Sequence, residues 1–99
     1  MTTSAIESTA LTAVSVSVDD TSLAIELSDG RTITAPIAWY PRLLHASTIE
    51  RDSFRLIGRG NGIHWPMIDE DISIESILAG RPSMENPASL KRWLEARRR

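Results

Sequence analysis

The chain has 99 residues, room for one domain with one hydrophobic core and not for two. Apolar residues make up 41% of it, which sets it among folded globular proteins, and the absence of cysteine removes disulfides, thiolate metal sites and cysteine nucleophiles together. A formal net charge of −2 gives no global field for gathering nucleic acid, and no apolar run is long enough to span a bilayer.

The N-terminal stretch MTTSAIESTALTAV lacks a basic start and a sustained apolar centre, so no signal peptide is expected. With no cysteine, a soluble cytoplasmic protein is the expectation. Residues 1–11 read as a flexible N-terminal arm and residues 12–99 as a single α+β domain. Alternation then begins. Val14, Val16 and Val18 alternate with Ser15 and Ser17, the pattern of a half-buried strand. Leu23, Ile25 and Leu27 repeat it, and Ile33, Ala35 and Ile37 give a third strand. Asp19-Asp20-Thr21 makes the first turn. Asp29-Gly30 predicts a two-residue hairpin loop with positive φ at both positions. The opening third is therefore an antiparallel β-meander.

Pro36 and Pro41 bracket a change of period. Pro41 suits the first turn of a helix that carries Trp39, Leu43 and Ala46 on one side. His45 falls near its end, where a cation is favoured. Ser47 followed three residues later by Glu50 is a capping box and starts a second short helix. FRLIG and GIHWP form a second short hairpin, with Asn61-Gly62 expected to supply the positive φ of its turn. Ser73 then caps a short helix that Gly80 ends, with Ile72 and Ile77 as a hydrophobic staple. Asn86 and Pro87 open a last helix whose Leu90, Trp93 and Leu94 form an apolar stripe. The fold expected is thus α+β: an antiparallel β-meander plus a second short hairpin, with three to four short helices.

The densest chemistry lies in LIGRGNGIHWPMIDEDIS. Gly58, Gly60 and Gly62 do not open a helix as a dinucleotide loop must, and no Gly-Lys-Ser/Thr follows, so they read as turn residues. His64, Asp69, Glu70 and Asp71 have the donor types for a divalent ion. Consecutive residues point apart, however, and acids ahead of a helix favour its N-terminus, so they read as a lead-in to the helix that Ser73 caps. No metal and no cofactor is assigned. No Gly-x-Ser-x-Gly elbow and no acid–base pair can be picked out, so no catalytic residue is named. Trp39, Trp65 and Trp93 read as a shared core. The alternative is an interface anchor, with Trp39, Tyr40, His64 and Trp65 as partner-binding candidates. Lys91, Arg92, Arg97, Arg98 and Arg99 are the candidates for a nucleic-acid contact.

Asp29-Gly30-Arg31, Trp39-Tyr40-Pro41 and above all Gly62-Ile63-His64-Trp65-Pro66 running into Asp69-Glu70-Asp71-Ile72-Ser73 resemble the bacterial family called domain of unknown function 2442. The resemblance covers about Val14 to Gly80. Met67-Ile68 departs from it, standing where an acid followed by leucine is expected, and weakens a metal reading further. The resemblance implies a small α+β domain of uncharacterised activity. It also implies relatives fused to a helix-turn-helix domain and others that act in two-gene modules of toxin–antitoxin type. Only one helix follows Gly80, too little for a helix-turn-helix unit, so direct DNA reading is disfavoured. The leading expectation is a non-enzymatic protein-interaction or regulatory module, antitoxin-like, whose partner is the product of an adjacent gene. A homodimer through an edge of the meander is also open. The alternatives are a nucleic-acid-binding regulator using the basic C-terminal helix, and a metal-dependent enzyme using His64 and the nearby acids.

Overall fold

A computed structural model describes residues 11–98. The arm expected over residues 1–11 therefore lies, but for Leu11, outside the described residues. Two three-stranded antiparallel sheets form the frame. The first is the expected meander: β1 (Ala13–Val18), β2 (Ser22–Leu27) and β3 (Thr32–Pro36). A 3-10 turn over Ile37–Trp39 leads into helices α1 (Pro41–Leu44) and α2 (Thr48–Asp52). The second sheet holds β4 (Arg55–Ile57), β5 (Gly62–Trp65) and β6 (Glu70–Ser73). Helices α3 (Ile74–Leu78) and α4 (Pro87–Arg97) complete it. The α+β expectation holds, with one addition: the second hairpin gains a third strand. No helix among the described residues is long and apolar enough to cross a membrane.

Local rules place most of these elements. The Asp19 carboxylate accepts the backbone N–H groups of Thr21 and Ser22, each at 2.8 Å, and closes the first turn. Pro41 occupies the first turn of α1, where its missing N–H costs nothing. Ser47 and Glu50 make the reciprocal capping box of α2, at 3.1 and 2.8 Å. Ser47→Ala is expected to lower stability by about 1 kcal/mol, read as a fall of roughly 4–8 °C in the thermal midpoint. An unchanged midpoint would mean that the box adds nothing. Ser73 and Asn86 cap α3 and α4 through the N–H groups of Ser76 and Ser89. Gly80 follows α3 with φ 73.

Three details depart from the sequence expectations. Val14 is an extra residue in β1, where the register shifts between Ala13 and Ser15, and it is 58% exposed. Ala13 takes its inward place opposite Leu27. The second hairpin loop of the meander is Ser28-Asp29-Gly30, three residues long: the Leu27 N–H bonds to the Arg31 carbonyl at 2.7 Å, and Gly30 alone has positive φ, 93. The β4–β5 turn bends at Gly58, Arg59 and Gly60, while Asn61 stays at φ −71. Gly60 is required there, because a Cβ would sit 2.8 Å from the Ala13 carbonyl oxygen.

One continuous core lies between the layers. Leu23, Ile25, Leu27 and Ala35 face it from the meander, and Ile63, Trp65 and Ile72 from the second sheet. Tyr40, Leu43, Ile74 and Ile77 fill it from the helical segments. All three tryptophans belong to it or pack against it, with Trp39 and Trp93 half-buried at its rim. Arg51 is also buried: it donates to the Leu43 and Leu44 carbonyls at 3.0 Å each and pairs with Asp20 at 2.7 Å. Its cation thereby satisfies the open carbonyl end of α1.

Candidate functional site

The three acids of the dense stretch take three directions. Asp69 sits in a left-handed turn at φ 51. Asp71 points outward from β6 and meets Nδ1 of His64, its cross-strand neighbour on β5, at 2.6 Å. Glu70 points inward beside its own cross-strand neighbour, Trp65, and is 8% exposed. The expectation that these acids lead into α3 therefore needs correcting: Glu70 and Asp71 are strand residues, and the cap of α3 is Ser73 alone. The signal was present in the chain. Ile68, Glu70, Ile72 and Ile74 share one phase of a period-two pattern and are all buried, while Asp71 and Ser73 occupy the other phase and are exposed. An acid at an apolar phase is the anomaly that sequence reasoning passed over.

Burial pushes the Glu70 carboxyl up to about 7; Arg42 opposes this, while Glu85, Asp71 and Asp69 add to it. Tyr40 comes to the same place from the entry of α1. Its ring is in the core, 3% exposed, and its hydroxyl is buried with no hydrogen-bond partner among the described residues. Burial first, and the Glu70 charge second, raise that hydroxyl above its usual range. Both side chains line a cleft of about 240 Å³ between β6, the start of α3 and the loop before α4, with Ser76, Arg81, Ser83 and Met84 on its other walls.

That loop is pinned. The Ser83 N–H donates to the Trp39 carbonyl at 3.0 Å, and the Arg81 N–H to the Ser76 carbonyl at 3.0 Å. Arg42 grips Glu85 through Nε at 2.7 Å and donates through Nη1 to the Ile68 carbonyl at 3.0 Å. The cleft is thus built from rigid pieces, and it couples a buried perturbed acid to a hydroxyl with no internal partner. A larger groove of about 530 Å³ runs past Leu11, Ile74 and Leu78, and among the described residues Glu75 is the one ionisable side chain lining it, beside Asn61 and Ser73.

Of the four partner-binding candidates, Tyr40 and Trp65 adjoin Glu70 directly. Tyr40 shares its cleft, Trp65 is its strand neighbour, and His64 holds Asp71 on the outer side of the same strand. Trp39 carries the carbonyl that fixes Ser83. Of these, Trp65 has no exposed surface, and Trp39 and His64 are half-buried. The basic candidates divide differently. Arg97 binds the Glu50 carboxylate with both terminal nitrogens, at 2.9 and 2.8 Å, and lies 4.5 Å from the Trp93 ring centroid. Those bonds, with the backbone of Ser47, hold the Glu50 carboxyl down at about 2. Lys91, Arg92 and Arg98 are exposed, and Arg99 lies outside the described residues. Among the described residues no three His, Asp or Glu side chains are grouped to hold a metal ion.

Residues 13–83 match the profile of the family described as protein of unknown function (DUF2442). The fold is similar to the crystal structure of a protein of unknown function from Rhodospirillum rubrum. The two are 24% identical, with a TM-score of 0.67, over 83% of this chain and 99% of that one. No curated protein matches.

Proposed function

The chain belongs to the DUF2442 family, and from that premise we propose that it is a protein-interaction module, a non-enzymatic and regulatory partner of antitoxin type. The observation that carries this reading is the cleft. It pairs a buried carboxyl with a buried, unpartnered hydroxyl, so hydrogen-bonding capacity is held open for a visitor. A catalytic reading has less support. The Ser73 hydroxyl donates to that of Ser76, both committed to the cap of α3, and His64 is engaged with Asp71 on the far side of the strand. The partner favoured is the product of an adjacent gene, met in the cytoplasm.

Tagged chain expressed in its own host tests this. Wild type is expected to retain a defined protein through washing and gel filtration, and the double variant Tyr40→Phe, Glu70→Gln to lose it. Recovery of the same proteins by both forms, or of none by either, overturns the reading.

A further inference from the structure

The groups around the cleft are unequal in sign. Glu70 stands among Asp69, Asp71 and Glu85; Arg42 is the cation that draws on it, Arg81 lies on the rim of the cleft, Arg92 acts on Glu85, and His64 meets Asp71 on the outer side. Arg42 is already committed: two of its nitrogens hold Glu85, at 2.7 and 3.3 Å, a third contact goes to the Ile68 carbonyl, and its guanidinium faces the Trp93 ring at 5.2 Å. Arg81 is exposed on the rim, and among the described residues its side chain makes no ion pair. An anion entering here would meet an acceptor carboxyl and excess negative charge. A cation with several N–H donors would meet an acid whose attracting neighbour, Arg42, is already committed to Glu85, and the lone pairs of the buried Tyr40 oxygen. A volume of about 240 Å³ is below that of ordinary cofactor pockets and suits one side chain.

We infer that the cleft is a socket for one guanidinium or ammonium side chain presented by the partner polypeptide, with Glu70 as its counter-ion and the Tyr40 oxygen as a second acceptor. This rests on the interaction reading above and names the chemistry that the partner must bring. It also sets a pH dependence. The groups facing Glu70 are Tyr40 and Arg42 from the α1 segment, Asp69 and Asp71 beside it, and Arg81 and Glu85 from the loop. Of these, Glu70 is the one held near neutrality. An incoming cation needs it ionised, so affinity rises with pH across that range.

An NMR titration with N-acetyl-arginine methylamide and its neutral citrulline isostere tests the socket. The arginine probe is expected to shift the amides of Glu70, Ser76 and Ser83 saturably, with Kd on the order of 1–10 mM. Affinity should gain roughly thirtyfold from pH 5.5 to pH 8, as the ionised share of a group at about 7 rises. Citrulline should bind at least about tenfold more weakly at pH 8, and Glu70→Gln, its fold confirmed by its spectrum, should erase both the preference and the pH dependence. Equal binding of the two probes, an unaffected Glu70→Gln variant, or no saturable shift overturns the proposal. The two readings fail separately. If the probes fail while capture of a partner still depends on Tyr40 and Glu70, the cation falls and the interaction module stands. If capture is also indifferent to them, both fall.

Discussion

Trp65→Ala is expected to lower the stability of the domain by about 4 kcal/mol, the largest effect of any single truncation in this core. The side chain has no exposed surface. Its ring lies 6.1 Å from that of Phe54, tilted by 52°, and its Nε1–H donates to the Arg51 carbonyl at 3.0 Å. Alanine would leave a cavity of nearly a whole indole and would strip a buried carbonyl of its donor. Domains of this size are stable by roughly 5–15 kcal/mol, so the loss consumes much of the margin. Urea unfolding followed by far-UV circular dichroism reads it as a fall in midpoint at unchanged slope. Trp65→Phe separates the causes: it keeps most of the packing, loses the hydrogen bond, and should cost about 1–2 kcal/mol. A Trp65→Ala loss below about 1 kcal/mol would mean that the second sheet does not depend on this residue.

Glu70 sets the second large effect, and its sign is opposite to that of Asp19, Asp29, Glu50 and Glu85. Its carboxyl sits at about 7 in the folded protein against an ordinary 4.5. The native state therefore holds a proton that the unfolded chain has already released, and stability falls as pH rises from about 4.5 through 7. Allowing for solvent reaching the group through the cleft, the fall amounts to about 2 kcal/mol. Glu50, Asp19, Asp29 and Glu85 are all held below their usual range, so their stabilisation is lost only as pH drops further into acid. The thermal midpoint is expected to peak near pH 4.5–5 and decline towards pH 8. Glu70→Gln should remove that decline while leaving the acid limb intact, and should be more stable than wild type at pH 8. Parallel curves for the two proteins from pH 5 to 8 would refute this account. The expected gain in the variant also says what the acid is not for: it does not stabilise the fold at neutral pH, which fits a group kept for binding.

The legible parts of the fold were those fixed within a few residues. Asp19 in the first turn, Pro41 at the head of α1, the Ser47–Glu50 box, and Ser73 and Asn86 as caps all act on their immediate backbone, so their positions could be read off one by one. Register was less legible, because it depends on a partner strand. Nothing in AVSVSV says that Val14 is the extra residue of a bulge; that follows from where Leu27 stands opposite. The third strand of the second sheet was hidden for a different reason. Its residues, Glu70 to Ser73, resemble a polar approach to a helix, and only the alternation of Ile68, Glu70 and Ile72 betrays a strand. Of the four aromatic and histidine candidates, Tyr40 lines the Glu70 cleft and Trp65 is the strand neighbour of Glu70. The residue type could not say that Trp65 would be sealed inside and Tyr40 would leave only its oxygen unclaimed.

Helix α4 carries a consequence of its own. It is the longest helix, yet it buries no residue completely. The guanidinium groups of Arg42 and Arg97 both lie over the Trp93 ring, and those two arginines reach the Glu85 and Glu50 carboxylates. A helix fastened by charge and stacking opens more easily than one anchored by core side chains, so amide hydrogen exchange is expected to place α4 among the least protected segments. Ionic strength loosens such fastenings while leaving the apolar core untouched. Arg42 and Glu85 also hold the outer wall of the Glu70 cleft. The clasp that docks the helix is therefore the clasp that keeps the cleft in shape, and the two come undone together.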